Sequence, residues 1–216
     1  MMKKTLSDED RHHLDQQITD AENGTGIQIV LAVIQRSDSY AELPWKAFAL
    51  GASFSGLLVF LLEPFYSGWL ATVTVLIAAA GILGGGAVVA LLTVFITGFA
   101  RLFLSRSRAD VEVRQYAESL FLSRELFATS KRNGILLLVS LFERKVMILP
   151  DKGLNDHLPE KKMKEIITAM TPYLARRDIR QAFESGLAQL VKTLGVAKPG
   201  KNQNELSDEI IEEKGV

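Results

Sequence analysis

Two short polar segments hold the residue types best suited to chemistry. The first, Asp151-Lys152-Gly153-Leu154-Asn155-Asp156-His157, gathers oxygen donors directly after an aliphatic stretch. Hard cations such as Ca2+ and Mg2+ take carboxylate and carbonyl oxygens, so Asp151 and Asp156 would supply charge and Asn155 a carbonyl. The spacing departs from an EF-hand loop. The same residues also suit a polar turn, with Asn and Asp bonding the backbone and Gly153 at positive φ, and the turn is the expected reading. The second segment, Arg36-Ser37-Asp38-Ser39-Tyr40, follows an aliphatic run. Ligands of α/β sheets commonly lie beyond strand C-termini, where Arg36 could pair with a phosphate and Asp38 with a cation or proton. An exit loop leading to Pro44 and Trp45 accounts for the same residues without chemistry, and is preferred.

Most familiar catalytic arrangements are missing. No Ser-His-Asp pattern, phosphate-binding glycine loop or dinucleotide glycine motif occurs. His12 and His13 are adjacent on an expected helix, so their side chains point about 100° apart and do not easily share one metal. The absence of Cys excludes disulfides, thiolate metal sites and cysteine nucleophiles. With 25 basic and 25 acidic residues the net charge is zero, which gives nucleic acid no general electrostatic hold.

The elements that must position these segments can be read from patterning. Ser7 with Asp8, Glu9 and Asp10 forms an N-cap and an acidic first turn, and Leu6, Leu14, Ile18 and Ala21 recur at near-helical spacing. A helix is expected over residues 7–22, then a buried strand over 27–34. A second helix is expected over 108–127, from Val113, Tyr116, Ala117, Leu120 and Phe121. Strands over 135–142 and 145–149 read as a hairpin turning at Glu143-Arg144. Pro159 opens a helix reaching about residue 171, and Asp178 caps another ending at Gly195. The order implies an α/β fold with a small central sheet sandwiched by helices.

Between the first strand and the second helix, residues 47–100 contain no Lys, Arg or Asp and a single Glu, Glu63. Glu63-Pro64-Phe65-Tyr66-Ser67-Gly68 divides this run into residues 45–62 and 69–99. Each piece reaches the roughly 18 to 20 apolar residues that cross a hydrocarbon core of about 30 Å. Trp45, Phe65, Tyr66 and Trp69 stand at the ends, where amphipathic rings suit the headgroup layer. A transmembrane helical hairpin is therefore expected over 47–104, interrupting one domain formed by 1–46 and 105–196, with a polar tail over 197–216. Gly81, Gly84, Gly85 and Gly86 leave open whether the second run is one long helix or two short spans. Both halves of the domain must reach the same sheet, which favours two crossings. No ionisable residue lies inside either run, which disfavours a channel or carrier. No cleavable signal peptide is visible at the start. Lys46 before the hairpin and Arg101, Arg106 and Arg108 after it place the domain in the cytoplasm.

Several fragments together resemble the TPM domain family: Leu6-Ser7-Asp8-Glu9-Asp10, Thr25-Gly26-Ile27-Gln28-Ile29-Val30, Asn133-Gly134-Ile135-Leu136-Leu137-Leu138-Val139-Ser140, Glu143-Arg144-Lys145-Val146 and Leu149-Pro150-Asp151-Lys152-Gly153-Leu154. The chain looks like the membrane group of that family, and Asn204-Glu205-Leu206-Ser207-Asp208-Glu209 resembles its tail, which would then dock. With the hairpin as anchor, the expected location is integral to a bacterial inner membrane, with the domain on its cytoplasmic side. TPM domains are described as phosphatases, as divalent-cation binders and as accessory factors of membrane complexes. Many members carry Asp just before the Asn-Gly, where this chain has Arg132, and a cation site relying on that carboxylate is put in doubt. The expected function is a non-catalytic interaction or accessory factor whose partners are the lipid bilayer and another membrane protein, with no nucleic acid. The alternative is a divalent-metal-dependent phosphatase using Ca2+ or Mg2+.

Overall fold

The computed structural model describes residues 5–66, 71–195 and 210–215. The turn residues Ser67 and Gly68, Trp69 and the segment Asn204 to Glu209 lie outside them. The chain divides into two compact units, Met1–Asp38 with Asp110–Val216, and Ser39–Ala109.

In the first unit, α1 (Asp8–Thr25) starts at a capping box. Ser7 Oγ accepts from Asp10 N, and the Asp10 carboxylate accepts from Ser7 N, each at 3.1 Å. The helix runs past Asn23-Gly24, where the sequence pattern ends, and closes at Gly26, whose φ of 74° is the left-handed cap geometry. β1 (Gln28–Arg36) follows, and after α5 (Arg106–Ser123) come β2 (Gly134–Ser140) and β3 (Lys145–Pro150). α6 (Glu160–Ala175) and α7 (Ile179–Leu194) are succeeded by β4 (Ile211–Gly215).

The sheet order is β3-β2-β1-β4. β1 runs parallel to both β2 and β4, and β2 pairs antiparallel with β3. Side chains alternate across a strand, so the two faces of β1 and β2 serve different cores. Ile29, Leu31, Val33, Ile135, Leu137 and Val139 pack with Leu14 and Ile18 of α1, Ile166 and Met170 of α6, and Phe183 and Leu187 of α7. Val30, Ala32, Ile34, Leu136 and Leu138 pack with Val113, Ala117 and Leu120 of α5. Burial on both faces explains why these strands read as unbroken aliphatic runs rather than alternating ones. The result is a mixed α/β sheet covered by helices on both faces.

The sequence placed residues 211–215 in a polar tail; they form an edge strand. Ile211 joins the α5-side core. Glu212, half-buried on the other face, accepts from Leu6 N at 2.9 Å and pairs with Arg11 at 2.9 Å. Glu213 accepts from the Tyr116 hydroxyl at 2.6 Å and from Arg124 at 3.0 Å. Burial and then the bond to Glu213 push the Tyr116 phenol well above its ordinary pKa.

In the second unit, α2 (Glu42–Leu62) leads through a 3-10 turn (Glu63–Tyr66) towards α3 (Ala71–Phe95). The glycine-rich run is one helix. It ends at Ile96, whose φ of −115° and ψ of 95° are extended, and is followed by α4 (Thr97–Ala100) and a 3-10 turn (Arg101–Phe103). The glycines do not break α3 because Gly85 and Gly86 are spent on contact with α2. A Cβ on Gly86 would stand 2.8 Å from the Phe48 ring, and one on Gly51 of α2 would stand 2.9 Å from the Gly85 carbonyl. Such approach is available to glycine alone and brings the two antiparallel helices to short range. Two helices, Glu42–Leu62 and Thr72–Phe95, are long and apolar enough to cross a membrane.

Candidate functional site

The two candidate segments emerge from opposite ends of the sheet. Gln28 pairs with Gly134 at one end and Ile34 with Ser140 at the other. Asp151 follows β3, which runs back along β2, so it lies beside Gly134, and Asp151 N donates to Gly134 O at 2.8 Å. Residues 36–38 leave β1 at the far end. Seven residues of strand at about 3.3 Å each put roughly 20 Å between the two, and no single centre uses both.

At the Asp151 end, the carboxylate is buried and already engaged. Arg132 Nε donates to Asp151 Oδ2 at 2.7 Å and Arg132 Nη2 to Oδ1 at 2.8 Å, a two-point pair, while Lys152 N donates to Oδ1 at 2.7 Å. Burial alone would push the Asp151 carboxyl up; the bonds from Arg132 and Lys152 outweigh it and hold the group below its usual value. The Arg132 guanidinium lies 5.7 Å from the Phe127 ring centre. Its backbone is left-handed, with φ of 54°, in the tight turn before β2. The adjoining Asn133 side chain donates to Gly26 O at 2.6 Å and so ties this turn to the end of α1. Gly153 N donates to Arg132 O at 2.9 Å, and a Cβ there would stand 2.5 Å from that oxygen. Asp151 also caps the 3-10 turn Lys152–Leu154. Asn155, Asp156 and His157 follow that turn and are exposed. Among the described residues no three His, Asp or Glu side chains come together as a metal site.

At the other end, Ser37 is buried, and its N and Oγ donate to Glu143 Oε1 at 2.9 and 2.7 Å. Ser140 Oγ donates to the other carboxylate oxygen in a short bond. Glu143 thus fastens the exit of β1 to the β2–β3 turn, helped by Arg36 stacked 4.8 Å above the Phe142 ring. Asp38 is half-buried in the same segment. The sequence had marked Arg36 and Asp38; the buried centre of this end is Glu143, which reads locally as half of a turn. Its role depends on a serine 106 positions away, and no local signal reveals that. Through these bonds the cluster holds the backbone at the exit of β1 against the β2–β3 turn.

His12 and His13 diverge as expected for adjacent helix positions. His12 lies 3.3 Å from the Gln16 amide, and His13 3.3 Å from Glu184.

Comparison with known proteins bears on the fold. Residues 100–193 match the family model described as TPM domain. The NMR structure of BA42 protein from the psychrophilic bacterium Bizionia argentinensis sp. nov. is similar, with a TM-score of 0.56 and 15% identity over 99% of this chain and 99% of that one. At that identity the likeness is one of fold. No curated protein matches the chain significantly.

Proposed function

We propose, from the premise that the chain belongs to the TPM domain family over residues 100–193, that the protein is a membrane-anchored interaction domain. It is an accessory factor at the cytoplasmic face of a bacterial-type inner membrane, bound to another membrane protein, and not a phosphatase. The observation that carries the anchor is the outer surface of α2 and α3. Phe54, Phe60 and Phe95 are 70, 74 and 79% exposed, among a longer set of exposed leucines and valines. Moving one such side chain out of water is worth about 1.5–3 kcal/mol, and a soluble protein rarely leaves so many uncovered. A lipid bilayer covers both helices at once. The chain carries Lys46, Arg101, Arg106 and Arg108 at one end of the hairpin and only Glu63 near its turn, a bias that supports a cytoplasmic domain.

The non-catalytic half of the reading is supported by the Arg132–Asp151 pair. A cation approaching Asp151 would have to displace a guanidinium already bound through both carboxylate oxygens. The test is an assay of the detergent-purified full chain on phosphoesters with Mg2+, Mn2+ and Ca2+. The expected outcome is no turnover above that of Asp151→Asn and Asp38→Asn variants. Robust hydrolysis lost in either variant would replace this reading with the metal-dependent phosphatase.

A further inference from the structure

We propose that the end of the hairpin where α2 begins and α3 finishes binds the headgroups of anionic phospholipids, an inference that rests on the membrane reading above. The charges of the second unit are divided unevenly. α2 starts at Glu42 and carries Lys46 one turn later; beyond α3 the chain passes Arg101 in the 3-10 turn and then Arg106 and Arg108. Because Gly51 lies against Gly85 and Val89, and Phe48 against Gly86, the helices run antiparallel and these cations come to one end. The 101–103 turn packs on α2, and Arg108 Nε lies 3.8 Å from the Glu42 carboxylate. Lys46, Arg101, Arg106 and Arg108 are thus gathered at the end of the hairpin where Glu42 opens α2.

The cations stand beside apolar side chains that suit the same depth. Trp45, 73% exposed, precedes Lys46, and Leu102, 76% exposed, follows Arg101. An indole settles in the headgroup layer, while Lys and Arg lay their aliphatic stems along apolar surface and keep their charge among phosphates. The chain also changes character here. The apolar helix stops at Ile96, and two short helical turns carry Phe99 and Phe103, whose rings pack edge to face at 5.4 Å, before Arg106. A zwitterionic headgroup offers these cations no net charge. An anionic one offers an unbalanced phosphate that a guanidinium can hold at two points. Each Lys or Arg near such a surface improves partition about fivefold.

The experiment uses the full chain in nanodiscs holding equal phosphatidylglycerol and phosphatidylcholine, with retained lipids counted by native mass spectrometry. Wild-type protein is expected to keep phosphatidylglycerol over phosphatidylcholine by about tenfold or more. The preference should shrink at roughly 1 M salt, where the screening length is about 3 Å. It should approach unity in a Lys46→Gln, Arg101→Gln, Arg106→Gln variant and survive in a Lys46→Arg, Arg101→Lys, Arg106→Lys variant, which separates charge from misfolding. Arg108 is left in place because it pairs with Glu42. Equal retention of the two lipids by the wild type, or an unchanged preference in the glutamine variant, overturns the site while leaving the anchor intact. Failure to enter discs at all, with the chain remaining monomeric in detergent-free buffer, overturns the anchor and the site together.

Discussion

Arg132 and Asp151 are nineteen residues apart in sequence and meet only because β2 and β3 pair in one register. The pair decides what the acidic loop does, since it neutralises the carboxylate that would carry most of a cation's binding. Ca2+ added to the full chain should leave its melting temperature unchanged, and a rise abolished by Asp151→Asn would reinstate a metal role. Asp151→Ala should cost about 1–3 kcal/mol, from a lost turn cap and lost bonds to a buried group, measured by thermal unfolding in detergent. The folded-state pKa of Asp151 lies below its unfolded value of about 4, so its contribution is complete above that pH and disappears as pH falls below it. Between pH 7 and pH 3 the wild type should therefore lose more stability than Asp151→Asn. Glu143 belongs to the same scale. Glu143→Ala removes the acceptor of Ser37 N, Ser37 Oγ and Ser140 Oγ at a buried site and should destabilise by about 1–3 kcal/mol without altering any phosphoester activity.

Among the elements, β4 shows how a charged strand can be integral to a fold. Ile211 enters one core, Glu212 reaches the start of α1 and Glu213 reaches Tyr116 and Arg124 of the α5 side, so one short strand ties both helical layers to the sheet edge. Ending the chain at residue 209 should lower the melting temperature by several degrees, and Tyr116→Phe should remove about 0.5–1.5 kcal/mol of the same effect. Melting curves identical to wild type would show that the strand contributes nothing. α1, β1, β2, β3, α6 and α7 were legible in the sequence because their signals are local: a Ser7 cap, aliphatic runs bounded by turns, an Asp178 cap and a closing Gly195. β4 was not, because Ile-Glu-Glu-Lys-Gly reads as a solvated tail until α1 and α5 supply partners for its carboxylates. The continuity of α3 through Gly81 to Gly86 was likewise undecidable locally, since it follows from which glycines touch α2. The candidate site was legible as to residue type and illegible as to pairing, for Arg132 could be seen as a departure from the family but not as the partner of Asp151.

At the scale of the whole molecule, the sequence inserts an apolar helical pair between β1 and the α5–β2 segment, which complete one sheet. The pair is held by close glycine contact, so Gly51→Leu should push α2 from the Gly85 carbonyl and cost about 1–3 kcal/mol, read as a lowered melting temperature in detergent. Because β1 and β2 are neighbours in register, the chain must leave the sheet and return to it on one side of any bilayer it enters. That requirement is the central claim, and the absence of Cys makes it directly measurable. Single-cysteine variants Glu9→Cys, Lys161→Cys and Phe65→Cys, probed with a membrane-impermeant maleimide in spheroplasts and in inverted vesicles, report one position before the hairpin, one after it and one at its turn. Glu9→Cys and Lys161→Cys should label only in inverted vesicles and Phe65→Cys only in spheroplasts. Labelling of Glu9→Cys and Lys161→Cys from opposite sides, or of all three from the same side, would contradict the account.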